Sequence, residues 1–254
     1  MIPGRIELEI KDGIVLVGSD AHYFPGEAST GHKAFCKFAK LLKPSHIVMN
    51  GDAFDGASIS RHPSIMWEHN PSVEDELKAV NLRLSEIVSA ASKNTTFLWP
   101  LGNHDQRFET KLSTVAPEYK GISGFHLKDH VDPCWLPCWS IWINHGVVIK
   151  HRSGSGFNAV QSATVSTGKT IITGHLHSLR VSPYTDYSGT RWGVDTGTLA
   201  DINGPQFKYL EDGHRNWRSG FIVLTFRQSK LMWPEIVHVI AKDQVEFRGQ
   251  IHQV

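Results

Sequence analysis

Apolar positions along this chain keep two rhythms, and in the first half they take turns. Residues 5–10, RIELEI, place Ile6, Leu8 and Ile10 two apart, the period of a half-buried strand. A Lys11-Asp12-Gly13 turn leads into the apolar run IVLVGSD at 14–20, so a hairpin feeding a buried strand is expected. STGHKAFCKFAKLL at 29–42 reads as a helix that starts at a Ser or Thr and stops before Pro44. HIVMNGD at 46–52 is a second buried strand. PSVEDELKAVNLRLSEIVSAAS at 71–92 is the clearest helix: Ser72 and Asp75 suit a capping box, and Val73, Leu77, Val80, Leu84, Ile87 and Ala91 recur at steps of three and four. TTFLWPLGNHD at 95–105 is a third strand running into a loop.

The second half keeps mostly to period two. CWSIWINHGVVIKH at 138–151 suggests a hairpin about Asn144-His145-Gly146, and KTIITGHLH at 169–177 another apolar strand. Strands with short turns then fill 191–200, 219–226, 231–240 and 244–252. No repeat, low-complexity tract or linker breaks the pattern. The expected architecture is a single α/β domain over residues 1–254, a two-layer β sandwich flanked by α helices drawn mostly from the N-terminal half.

Composition narrows the setting. Lys and Arg total 26 against 25 Asp and Glu, a formal charge of +1 that gives no field to favour a nucleic acid or an anionic membrane. The start lacks an apolar leader core, and no run approaches the roughly 20 apolar residues of a membrane span. Three cysteines, an odd number, fit a reducing compartment. A cytoplasmic protein with no membrane contact and no obligate protein partner is expected. Cys134 and Cys138 are spaced C-x3-C with no second pair, so thiolate ligation of a metal is not expected. The 15 histidines point toward metal or acid–base chemistry.

The chemistry collects where strands end. The first three buried strands run out into VGSDAH, with Asp20 and His22; MNGDAFD, with Asp52 and Asp55; and PLGNHD, with Asn103, His104 and Asp105. A later strand ends in GHLH, whose His175 and His177 share one side of an extended chain. Any one cluster could be an ordinary turn. Four of them at the ends of strands, where open α/β sheets bind ligands, form a site built from distant segments. In the hairpin, His145 falls in the turn while His151 ends the strand VVIK, so His151 is the preferred contributor. Asp55 and Asp105 read as residues that orient ligands from behind. Arg61 and Arg107 follow two of the motifs and could bind phosphate bidentately, or equally form surface ion pairs. His32, His46, His62, His69, His214 and His238 have no partner motif and read as structural or solvated.

The order Asp-x-His, Gly-Asp, Gly-Asn-His-Asp, a later His and Gly-His-x-His resembles the calcineurin-like metallophosphoesterase superfamily, matching from Asp20 to His177. VDTGTL at 194–199 is similar to a further Asn-x-Gly-Ser stretch of that family, with Asp195 in place of the Asn. The resemblance implies a β sandwich with two divalent metal ions at one edge. It places Asp20, His22 and His177 on one ion, Asn103, His151 and His175 on the other, and Asp52 as the bridge. His104 would not bind metal but would help protonate the leaving oxygen. The implied activity is hydrolysis of a phosphodiester or phosphomonoester by water activated on the metals. Mixed nitrogen and oxygen donors suit Mn first, with Fe, Zn or Ni open.

The substrate stays open between a small molecule and a single-stranded nucleic acid. GDAFD and GNHD are similar to the phosphoesterase domain of double-strand-break repair nucleases, which keeps a DNA nuclease as an alternative. The small net charge counts against duplex binding, which relies on Lys and Arg neutralising phosphates. Gly56 stands where Ser/Thr protein phosphatases carry an Arg, which disfavours a phosphoprotein. A further alternative is an inactive module of the same fold that serves only for binding, although every ligand position is retained.

Overall fold

The computed structural model describes residues 2–61 and 70–254, so the discounted His62 and His69 lie outside the described residues. In chain order the first half contains β1 (Ile6–Leu8), β2 (Gly13–Gly18), α1 (Thr30–Leu42), β3 (His46–Met49), α2 (Val73–Ala90), β4 (Thr96–Pro100) and α3 (Asp105–Val115). The second half contains β5 (Trp135–Cys138), β6 (Ile141–Ile143), β7 (Val147–Ile149), α4 (Ala159–Thr167), β8 (Thr170–Thr173), β9 (Arg180–Asp186) and β10 (Gly189–Asp195). It closes with β11 (Gly220–Arg227), β12 (Lys230–Leu231), β13 (Glu235–Ala241), β14 (Gln244–Phe247) and β15 (Gln250–Gln253). No helix among the described residues is long and apolar enough to cross a membrane.

Two mixed sheets result. One has the order β1-β6-β7-β8-β10-β9; the other has the order β15-β14-β13-β11-β2-β3-β4-β5, with β12 beside β11. The alternation of side chains explains how they stack. Val15, Val17, Val48, Leu98, Ile222, Leu224 and Phe226 of the larger sheet share a core with Ile141, Ile143, Val147, Ile149, Ile172 and Val194 of the smaller one. Their neighbours Leu16, Ile47, Met49, Phe97, Trp99, Phe221 and Val223 point the other way, against Phe35 and Phe38 of α1 and Val80, Leu84 and Ile87 of α2. On the outer face of the smaller sheet, Ala163 of α4 covers Val148 and Ile171. The fold is therefore a β sandwich flanked by helices, and strands apolar on both faces are what such burial requires.

Helix ends follow local chemistry. The Ser29 side chain accepts from the His32 N–H at the start of α1, and Lys43 ends it in the left-handed region just before Pro44. Ser72 accepts from the Asp75 N–H at 3.1 Å, so the expected cap is formed.

One local expectation is corrected, and four elements were not anticipated. β1 and β2 form no hairpin: β1 pairs in parallel with β6 in the smaller sheet, while β2 lies in the larger one between β11 and β3. The Asn144 side chain both accepts from the Ile10 N–H at 2.8 Å and donates to its carbonyl at 2.8 Å, which fixes the crossing between layers. β9 and β5 contain Pro183 and Pro137, which hide a strand in the sequence; both lie at sheet edges, where a missing N–H costs nothing. The helices α3 and α4 escape the periodicity argument because α3 buries only Asp105 and Phe108, and α4 is built from small and β-branched residues.

Phe221 links the larger sheet to α1, edge-on to Phe35 at 5.1 Å and to Phe38 at 5.6 Å between ring centroids. Replacing it with Ala removes a fully buried ring and is expected to cost about 3–5 kcal/mol in urea unfolding; a loss below about 1 kcal/mol would mean that this packing matters little.

Candidate metal centre

The loops that follow β2, β3, β4, β7 and β8 meet at one edge of the sandwich. Hydrogen bonding between β2 and β3 continues past the strands: Asp20, His22 and Tyr23 donate their N–H groups to the carbonyls of Gly51, Asp52 and Ala53, each at 2.9 Å. The ligand-bearing loops thus inherit the register of the sheet.

Two triads follow the sequence-derived ligand sets: Asp20, His22 and His177 bring ligand atoms within 4.8 Å of one another, and Asp52, His151 and His175 do the same; a third group at that spacing, His22, Asp55 and His104, shares His22 with the first. His175 and His177, neighbours on one strand end, belong to different triads. Asp20, His22, Asp52, His151 and His177 are buried. The carboxylates also interlock the loops: His175 N–H donates to Asp20 Oδ2 at 2.9 Å, and His104 N–H donates to Asp52 Oδ1 at 2.8 Å.

The backbone here is unusual. Asp20, His22, Asp52, His175 and His177 have φ of 51°, 40°, 52°, 72° and 55°. Non-glycine residues in the left-handed region cost on the order of 1–3 kcal/mol each and collect at functional sites. Two glycines leave space around the carboxylates. A Cβ on Gly102 would collide with the side chain and backbone of Asp52, and one on Gly174 with Asp20 and Ser19.

The donor atoms fit cations. His22 Nε2, His177 Nδ1 and Asn103 Oδ1 are buried without a hydrogen-bond partner, an arrangement that normally costs free energy, while His151 Nε2 faces Asp52 Oδ2 at 3.1 Å. His22 Nδ1 lies 2.9 Å from Asp55 Oδ1, and His151 Nδ1 lies 2.8 Å from the Asn50 carbonyl. Each ring is thereby fixed through Nδ1 and presents Nε2 to the centre, the usual support for a metal-ligating histidine. No thiol is involved, since Cys36, Cys134 and Cys138 are outside both triads and burial pushes each up to about 12.

Electrostatics follow from burial. Burial raises the Asp52 carboxyl, but His151, His104 and His22 more than offset it, holding it well below the usual range. Burial also opposes charge on His151, yet Asp52 and Asp20 bring it up to about 10. His104 is raised too, because Asp52 and Asp55 outweigh its burial. Its Nδ1 lies 2.8 Å from Asp55 Oδ1, and its Nε2 is 3.9 Å from Asp52 Oδ2.

Other sequence-derived candidates divide. Asp105 accepts from the N–H groups of Asp52, Phe54 and Gly102 and from Trp99 Nε1, so it braces two loops at once. Burial and the Asp52 charge push it up to about 6. Arg107 donates to the Asp55 carbonyl at 2.9 Å and its Nη2 lies 3.2 Å from His104 Nε2, placing it beside the cluster. Arg61 is exposed and belongs to neither triad. His145 is in the exposed turn, 3.6 Å from Glu9, while His151 is in the cluster. His32 bridges Tyr23 at 3.0 Å and Glu86 at 2.8 Å, away from both triads.

Sequence reasoning missed two features. Asp195 accepts from the N–H groups of Ser178 and Gly197, at 2.9 and 3.0 Å, bracing the strand end that carries His177; burial pushes it up to about 7. The segment between β10 and β11 also crosses the first triad. Its buried Phe207 lies edge-on to His22 at 5.4 Å, and Trp217 lies 4.4 Å from His177 between ring centroids. Neither ring belongs to a motif; only its place between two strands could have drawn attention to it.

No protein-family profile matches this sequence, and no curated protein matches it. Among solved structures, the chain is similar to Vps29 from Entamoeba histolytica complexed with zinc, at 13% identity over 94% of this chain and 96% of that one, with a TM-score of 0.45. It is also similar to Vps29 of Chaetomium thermophilum, at 11% identity over 95% and 96% of the two chains, with a TM-score of 0.42.

Two outcomes check the centre. With His151 raised to about 10, it carries a proton at pH 7 that a cation must displace. Calorimetric titration with Mn²⁺ in buffers of different ionisation enthalpy is expected to show release of about one proton and tighter binding as pH rises; binding independent of pH would contradict the assignment of His151. Gly102→Ala is expected to lose at least one metal equivalent while keeping its circular dichroism, and full metal content in that variant would show that Asp52 has room to spare.

Proposed function

We propose that this chain is a two-metal phosphoesterase that hydrolyses a phosphodiester or phosphomonoester of a small or single-stranded substrate. One observation carries the reading: two adjacent triads with five of their six residues buried, unpartnered His22 Nε2, His177 Nδ1 and Asn103 Oδ1 atoms, and five residues held in the left-handed region. Asp20, His22 and His177 would hold one ion, and His151, His175 and Asn103 the other, with Asp52 between them. Two dications at such a centre supply Lewis acidity to the phosphate and a nucleophile at neutral pH. A shared carboxylate suits that middle position because it offsets the repulsion of two like charges.

The chain's own residues complete the chemistry. Asp55 accepts from His22 and His104 alike, so one carboxylate fixes the tautomer of a ligand and of an acid. His104, with its proton favoured by Asp52 and Asp55, would protonate a departing alkoxide from Nε2 once substrate draws Arg107 off that nitrogen. Arg107 reaches the same nitrogen and would turn to a phosphate oxygen when substrate enters. The formal charge of +1 favours a substrate that brings few phosphates over a long duplex.

Turnover of model esters tests this. With Mn²⁺ bound, His104→Ala is expected to lose about 10²–10⁴-fold on an ester with an alkoxide leaving group, and much less on a nitrophenyl ester, whose phenolate leaves without a proton. Metal content should not change. Equal losses on both esters would remove His104 from the acid role, and no hydrolysis by the wild type with any divalent metal would leave a binding module.

A further inference from the structure

Residues 201–219, between β10 and β11, belong to no sequence motif, yet they form the wall beside the first triad. A 3-10 turn at Pro205–Leu210 carries Phe207 and Tyr209, and Arg215 and Trp217 follow. The segment is pinned at both ends: Arg215 Nη1 donates to the Ile202 carbonyl at 2.6 Å, and the Arg218 N–H donates to the His177 carbonyl at 2.8 Å. Phe207 is fully buried and sits between His22, His177 and Trp217, at 5.4, 5.8 and 5.1 Å between centroids. It acts as a keystone on which the outer rings rest.

The outer groups are accessible. Tyr209 is 45% exposed, and its hydroxyl is pushed up by burial and by the Asp55 charge, against the pull of Arg107 and Arg215. Trp217 is half-buried, with the Arg215 guanidinium 5.7 Å from its ring. Trp217 and Phe24 line a groove of about 750 Å³ that starts at His22 and includes Pro205 and Ser219. That volume lies within the range of small-molecule sites.

We propose that this wall selects an ester whose phosphate is joined, through a short spacer, to a flat aromatic ring: a nucleotide, with its base against Trp217 and Phe24 and its phosphate at the two triads, beside Arg107. This rests on the phosphoesterase reading and deepens it. A nucleoside carries a planar π-face one sugar away from its phosphate, which matches an aromatic groove that shares His22 with the first triad. Stacking on an aromatic side chain tolerates any base, so preference among bases should be weak. The formal charge of +1 offers no track for a long backbone, so the unit recognised is one nucleotide or a short end.

Calorimetry separates this proposal from the reading beneath it. The probes are adenosine 5′-monophosphate and methyl phosphate, titrated into the Mn²⁺-loaded protein, with hydrolysis of methyl nitrophenyl phosphate measured alongside. The nucleotide is expected to bind about 5- to 150-fold more tightly than methyl phosphate, the contribution of one stacked base. Trp217→Ala should abolish most of that ratio, and Trp217→Phe should keep most of it. Phe24→Ala should lower it as well, which covers the case where Trp217→Ala disturbs His177 or fails to fold. Equal affinities for the two phosphates in a protein that hydrolyses the nitrophenyl ester would overturn the nucleotide proposal and leave the phosphoesterase reading intact. A nucleotide preference that survives Trp217→Ala and Phe24→Ala would overturn the assignment of the wall. Absence of ester hydrolysis beside a Trp217-dependent nucleotide preference would support the wall and sink the phosphoesterase.

Discussion

Asp20 and Asp52 are buried within one cluster, and that constraint organises the rest of the molecule. Taking a carboxylate out of water costs on the order of several kcal/mol unless positive charge and hydrogen bonds replace the solvent. Burial and the Asp52 charge raise Asp20, burial raises Asp52, and the nearby histidines hold both in the charged form. The backbone contributes too: His175 and His104 donate N–H groups to Asp20 and Asp52. Even so, ring nitrogens and an amide oxygen remain without partners. Under the proposed reading, cations would satisfy the carboxylates and those unpartnered atoms together.

The sandwich makes that burial affordable. β2, β3 and β4 lie side by side, apolar on both faces, so their C-terminal ends form a rigid rim over two cores. The rim sets the spacing of Asp20, Asp52 and Asn103, while β7 and β8 of the other sheet bring His151, His175 and His177 across to them. Asp105 ties the ends of β3 and β4, and Asp195 ties the end of β8 to the segment after β10. The strained ligand residues persist because these braces over-determine them.

How far this was legible in the sequence depends on range. The long helix α2 and the apolar strands showed themselves because a period of two or 3.6 is a local signal, and Ser72 capped its helix as expected. The ligand candidates were legible because each stood in a short motif at a strand end, and among the described residues they gather in the structure. What the sequence hid was non-local. The pairing of β1 with β6 depends on Asn144, more than a hundred residues away. Edge strands β5 and β9 were disguised by Pro137 and Pro183. Phe207 and Trp217 matter through what they touch across the fold, and no spacing along the chain announces that, while Asp195 stood in the VDTGTL stretch but its bracing of Ser178 did not show there.

The central claim is that two neighbouring cations complete this cluster, and anomalous diffraction from crystals soaked in Mn²⁺ tests it most directly. The account predicts two peaks about 3.5–4 Å apart, one bounded by Asp20, His22 and His177, the other by Asn103, His151 and His175, with Asp52 between. A single peak, or density held elsewhere in the chain, would contradict it.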